Sequence, residues 1–95
     1  MQPNVNNDQI RFLYKAILTL KTEDECQAFF EDVTTVLEVK SIAQRLTVAK
    51  MLHDKTVYHD IVESTGASTA TISRVNRSLQ YGKGAYNLVF DRLGE

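Results

Sequence analysis

Apolar residues recur along this chain at three- and four-residue spacing, and the two-residue alternation of a half-buried strand is absent. The pattern predicts an all-α chain of about six helices. Ile10, Leu13, Tyr14, Ile17 and Leu20 mark a first helix over 9–20, with Asp8 as its cap. "TEDE", from Thr22, reads as a capping box. The Thr22 hydroxyl accepts from the backbone N–H of Glu25, and the Glu25 carboxylate reaches back. Glu23 and Asp24 also favour a helix start, so a second helix is expected over 23–31. The longest helix is expected over 35–53, capped by Thr34 or Thr35. Short helices follow over 57–65, capped by Thr56, and over 69–80, started by Ser68. "YGKG" breaks the chain before a last helix over 85–93. Residues 1–7, with three Asn and a Pro, read as a disordered arm of a single domain spanning 1–95.

The segment 35–53 carries two apolar sets. Val36, Val39, Ile42, Ala43, Leu46 and Ala49 form one, and Leu37, Val48, Met51 and Leu52 the other. A helix apolar on two sides is buried on two sides. A chain of 95 residues has little material for both. A second chain is expected to supply the cover, the alternative being that the first and last helices do.

Composition narrows the function. No apolar run approaches the roughly 18 residues of a membrane span. The N-terminus lacks the basic and apolar regions of a secretory signal, and the lone Cys26 cannot form an internal disulfide. A cytoplasmic location without membrane partners is expected. Net charge is only −1, but it is unevenly spread. Residues 1–63 hold 10 acidic and 7 basic residues, whereas 64–90 hold no acid and three cations, Arg74, Arg77 and Lys83.

The basic stretch contains two short helices joined at Gly66. That is the helix-turn-helix arrangement, placed in the C-terminal half of the chain. With Gly66 as the turn, Ile61, Ala67, Ile72 and Val75 occupy the apolar positions that pin the two helices together. Val62 is larger, and Thr65 more polar, than such a motif usually has. On the second helix Ile72, Val75 and Leu79 share one face. Ala70, Ser73, Arg74 and Arg77 share the opposite one, flanked by Thr69 and Thr71. Small side chains allow close approach to a DNA groove, hydroxyls reach base edges, and Arg offers bidentate bonds. A protein–protein adaptor keeping this shape without using it on DNA is the rival reading. It would want large apolar anchors on that face.

"ASTATISRVNRSL" resembles the recognition-helix segment of the Trp repressor superfamily, and residues 20–93 resemble that superfamily in helix order and length. The closest resemblance is to its YerC/YecD branch of small regulators in Gram-positive bacteria. The resemblance implies an intertwined homodimer that represses transcription by binding a double-stranded DNA operator. Carried over by position, it implies base-edge contacts from Thr69, Ala70 and Thr71, and backbone or groove-wall contacts from Ser73, Arg74 and Arg77. Ser68 belongs to the same DNA-binding set, and His59, on the first helix of the pair, takes a backbone-contacting position.

In the Trp repressor the amino-acid corepressor lies between the core and recognition helices, served by two arginines and a glycine. The corresponding candidate pocket here is Thr34, Gln44, Arg45, Arg74 and Val75. Arg74 matches one arginine. Gln44 stands in the place of the other, with Arg45 one position later and turned about 100° around the helix. Val75 replaces the glycine and crowds a ring. Tryptophan is therefore not expected as the ligand; a smaller molecule of unknown identity, or none, is. No cofactor, metal site or catalytic group is expected. His53-Asp54 and His59-Asp60 read as exposed helix ends, Cys26 lies among acids that disfavour its thiolate, and Tyr58, Tyr81 and Tyr86 read as core or interface packing.

Overall fold

In a computed structural model that describes residues 7–94, the chain forms six helices and, among those residues, no strand. They are α1 (Asn7–Ile17), α2 (Glu23–Val33), α3 (Val36–His53), α4 (Tyr58–Thr65), α5 (Thr69–Tyr81) and α6 (Ala85–Leu93). The chain divides into two compact units, one ending at Val36 and the other beginning at Leu37. All but Asn7 of the arm expected over 1–7 lies outside the described residues; Asn7 is helical.

Local chemistry sets the helix ends, in places differently from the sequence expectation. Asp8 lies in the first turn of α1 and does not cap it from outside. The helix stops at Ile17, three residues early. The backbone N–H groups of Thr19 and Leu20 turn to the carbonyls three residues back, and the Thr19 hydroxyl donates to Ala16 O at 2.7 Å. A side chain competing for helix carbonyls in this way tightens and ends the last turn. Thr22 caps α2 as expected, accepting from Glu25 N at 3.0 Å. The Glu25 carboxylate reaches one residue further back, accepting from Lys21 N at 2.8 Å. Thr34 closes α2, its hydroxyl donating to Phe30 O at 2.7 Å, so the N-cap position of α3 falls to Thr35.

The end of α3 is a Schellman motif. Lys55 N donates to Leu52 O and Thr56 N to Met51 O, with Lys55 left-handed at φ 67°. Thr56 is thus engaged with α3 and does not cap α4, whose N-cap is Val57 without a side-chain bond.

In the second unit Val48 and Ala49 of α3, Ile61 of α4, Ala67 of the turn, Ile72 and Val75 of α5, and Phe90 of α6 form the buried core. Phe90 anchors α6. It meets the His53 ring at 5.4 Å, stacks on Tyr86 at 6.2 Å, and lies under the Lys50 ammonium at 5.9 Å. The first part of α3 leaves large apolar side chains uncovered. Val36, Ile42 and Leu46 of the main stripe are exposed within the chain, and Leu37 is 79% exposed.

Lys55 has a side chain where the left-handed backbone costs an L-residue roughly 1–2 kcal/mol. Lys55→Gly is expected to stabilise the fold by about 1 kcal/mol, part of the relief being lost to the freer unfolded chain. Urea unfolding should show it as a higher midpoint at unchanged slope.

Candidate nucleic-acid interface

The turn between α4 and α5 is built from four side chains and one backbone exception. Gly66 is left-handed (φ 71°, ψ 5°) and donates to Val62 O at 2.9 Å, closing α4. Thr65, the polar departure from the usual motif, donates its hydroxyl to Ile61 O at 2.7 Å and accepts from Ala67 N at 3.1 Å. Its hydroxyl therefore stitches the turn, which explains why a polar residue is tolerated. Ala67 is buried as the plug of the turn, and the larger Val62 packs against the core edge. Ser68 caps α5, accepting from Thr71 N at 3.1 Å. Thr65 O in turn accepts from Gln44 Nε2 of α3 at 3.1 Å.

Ile61, Ala67, Ile72 and Val75, the four residues expected to pin the motif, are all 3% exposed or less. With its inner face fixed, α5 presents the other face outward. Ser68, Thr69, Ala70, Ser73, Arg74 and Arg77 are all exposed. Thr71 differs. It is half-buried and its hydroxyl accepts from that of Ser68 at 3.1 Å, which sets it back from the outer face. Tyr81, expected to pack in the core or at an interface, is 81% exposed within the chain and so lies outside its core. It lies four residues beyond Arg77, so it extends the outer face, a register that helical spacing alone could have revealed. Tyr86 does pack, on Phe90. His59 is exposed on α4, its Nε2 3.8 Å from Glu63 Oε1. From Ser64 to Phe90 no carboxylate interrupts this surface.

Gly82 ends α5. A Cβ there would collide with the Ser78 carbonyl oxygen, so the break after the outer face requires glycine.

A cavity of about 190 Å³ opens beside the inner edge of α5. Ser41, Gln44 and Arg45 of α3 line it, with Thr71, Arg74, Val75 and Ser78 of α5 and Tyr86 of α6. Four of the five expected pocket residues thus come together, Arg45 included despite its rotation around the helix. Thr34 belongs to the first unit, where it closes α2. Two guanidinium groups and no carboxylate line the cavity, so it suits a small anion or polar molecule. Its volume is below the roughly 300 Å³ of ordinary ligand pockets. Ser41, Thr71, Ser78 and Tyr86 complete the lining, and the sequence gives no pocket signal for them beyond helical spacing.

The sequence model of the Trp repressor protein family matches residues 8–94. The chain belongs to the Trp repressor family. Its relatives include the uncharacterized protein YerC of Bacillus subtilis (strain 168), 53% identical over 83 residues that span 87% of this chain and 80% of that protein. A TrpR-like protein from Eubacterium eligens ATCC 27750 superposes with a TM-score of 0.92 at 54% identity, covering 98% of this chain and 96% of the other. A candidate Trp repressor from Staphylococcus aureus superposes at 0.91 with 47% identity, covering 99% and 95%. The described residues therefore share the all-α Trp repressor fold. No described helix is long and apolar enough to cross a membrane.

At Gly66 a Cβ would meet no atom within 4 Å, so any cost of substitution comes from the backbone alone. Gly66→Ala is expected to lose roughly 1–2 kcal/mol, and Gly66→Asn less, because Asn tolerates the left-handed region better. Thermal or urea denaturation ranks the three proteins. Equal stabilities would show that this turn is not left-handed in solution.

Proposed function

We propose that this chain is a sequence-specific DNA-binding transcriptional repressor, working in the cytoplasm as an intertwined homodimer with one helix-turn-helix domain per chain. The observation that carries the reading is the two-faced character of α5. Ile72 and Val75 are sealed inside, while a small-residue, hydroxyl- and arginine-bearing face stands clear of the rest of the chain. In this reading Thr69 and Ala70, at the N-terminal end of α5, meet base edges in the major groove, with Thr71 set back beside them. Ser68, Ser73, Arg74 and Arg77 hold phosphates and the groove wall. His59 of α4 meets the backbone across the groove. The only large apolar group on that face is Tyr81, where an adaptor would present several anchors.

The dimer is supported by apolar surface. Fifteen large apolar side chains are exposed among the described residues, including Phe12 at 74% and Leu18 at 83%, and neither α1 nor α2 has a buried residue. Burying a fully exposed side chain of this kind is worth roughly 1.5–3 kcal/mol, and a partly exposed one a fraction of that. A second copy with the same unsatisfied faces supplies the cover and sets two recognition helices about one DNA turn apart.

Tryptophan is not the corepressor in this reading. Val75 closes the cavity wall where an indole would need room, and the space is small. Titration calorimetry with tryptophan is expected to give no binding heat.

Selection from a random DNA pool tests the DNA reading. A palindromic consensus is expected, with half-sites about 34 Å apart. Arg74→Ala and Arg77→Ala should each weaken binding and lower the slope of log affinity against log salt by about 1 if that arginine contacts a phosphate. Unchanged affinity for both at several salt concentrations would remove α5 from the interface. Sedimentation should find a dimer; a tight dimer without DNA affinity above the nonspecific level would favour the adaptor.

A further inference from the structure

We propose that Gln44 is a positioning residue, a latch that holds the helix-turn-helix in its DNA-reading orientation without any small molecule. The inference rests on the DNA-binding reading above and adds how that reading is regulated. Most of the hydrogen bonds of the α4–α5 turn are local, made by Thr65, Gly66, Ala67 and Ser68 to residues at most four positions away. They fix the shape of the turn but not its place against α3. The Gln44 amide does the latter. Its Nε2 donates to Thr65 O at 3.1 Å across 21 residues of sequence. Thr65 is the last residue of α4, so this carbonyl is one of the four that a helix leaves without an intrahelical partner. The position is half-buried, which strengthens the bond relative to one in water.

Gln44 also lies one helical turn before Val48, where the apolar packing of α3 in the core begins. The apolar contact holds the C-terminal half of α3 to the motif, and the amide extends the hold by a turn. On its other side the same residue lines the cavity that contains Arg74 and Val75 of α5. A side chain of this chain therefore ties α3 to the motif at the edge of the space where a ligand would otherwise lie. Binding that needs no ligand avoids the affinity loss of a competent state that is only partly populated.

The test uses full-length protein dialysed free of small molecules, the consensus recovered from the random pool, and Gln44→Met, which keeps length and cannot donate. Wild type is expected to bind the consensus after dialysis. Gln44→Met is expected to remain a folded dimer and bind about tenfold more weakly. Amide exchange at Gly66 and Ile72 should quicken by a similar factor, with Phe90 unchanged, a local effect that general destabilisation would not give. Loss of wild-type binding on dialysis, or equal affinity and exchange for wild type and Gln44→Met, overturns the latch. If the pool returns no consensus, the DNA reading fails, and the exchange comparison alone decides whether Gln44 holds the motif.

Discussion

The structure of the second unit depends on the apolar seam between α4 and α5. Helices of 8 and 13 residues are at or below the length that holds together alone in water. Ile61, Ala67, Ile72 and Val75 supply what they lack: four of the seven buried apolar side chains among the described residues belong to this seam. Full burial of an Ile or Val side chain is worth about 1.5–3 kcal/mol, several times an exposed helix-surface pair. The seam therefore decides which way α5 is rotated. Once Ile72 and Val75 are inward, helical spacing turns Ala70, Ser73 and Arg77 outward, while Arg74 is exposed and also lines the cavity beside the helix.

Polar groups then refine what burial has fixed. Thr65 and Val62 depart from the usual helix-turn-helix pattern, and each departure has a local answer. The Thr65 hydroxyl finds both a carbonyl and an N–H within the turn, and Val62 reaches the edge of the core. No buried side-chain polar atom among the described residues lacks a partner. Gln44 has a similar history. In the family resemblance its place belongs to an arginine of the corepressor pocket; here a neutral amide is spent on the Thr65 carbonyl. Arg45 and Arg74 keep the cavity lining cationic.

Charge and apolar surface divide the chain's tasks. The acids lie before residue 64 and at the C-terminal end, and the stretch between carries cations alone. A near-neutral total limits indiscriminate attraction to polyanions, while a local excess of three positive charges suffices to orient a docking face at short range. In the proposed dimer, the large apolar side chains left exposed on α1, α2 and the first part of α3 take a different task, association with a second copy.

Six helices, the Ser68 and Thr22 caps, the Gly66 turn and the four seam residues were all legible in the sequence, because each depends on spacing and on chemistry within a few residues. Family membership was legible for the same reason in the segment after Gly66. What neighbours in sequence could not decide were the competitions between adjacent caps. Thr34 or Thr35, Thr56 or Val57, and the early stop at Ile17 turn on which carbonyl a hydroxyl or N–H reaches first, and several partners are equally near along the chain. Nor could spacing show that Arg45 reaches the cavity or that Gln44 finds Thr65. Those outcomes depend on groups brought together from distant positions, and only the packing of α3, α5 and α6 fixes the distances between them.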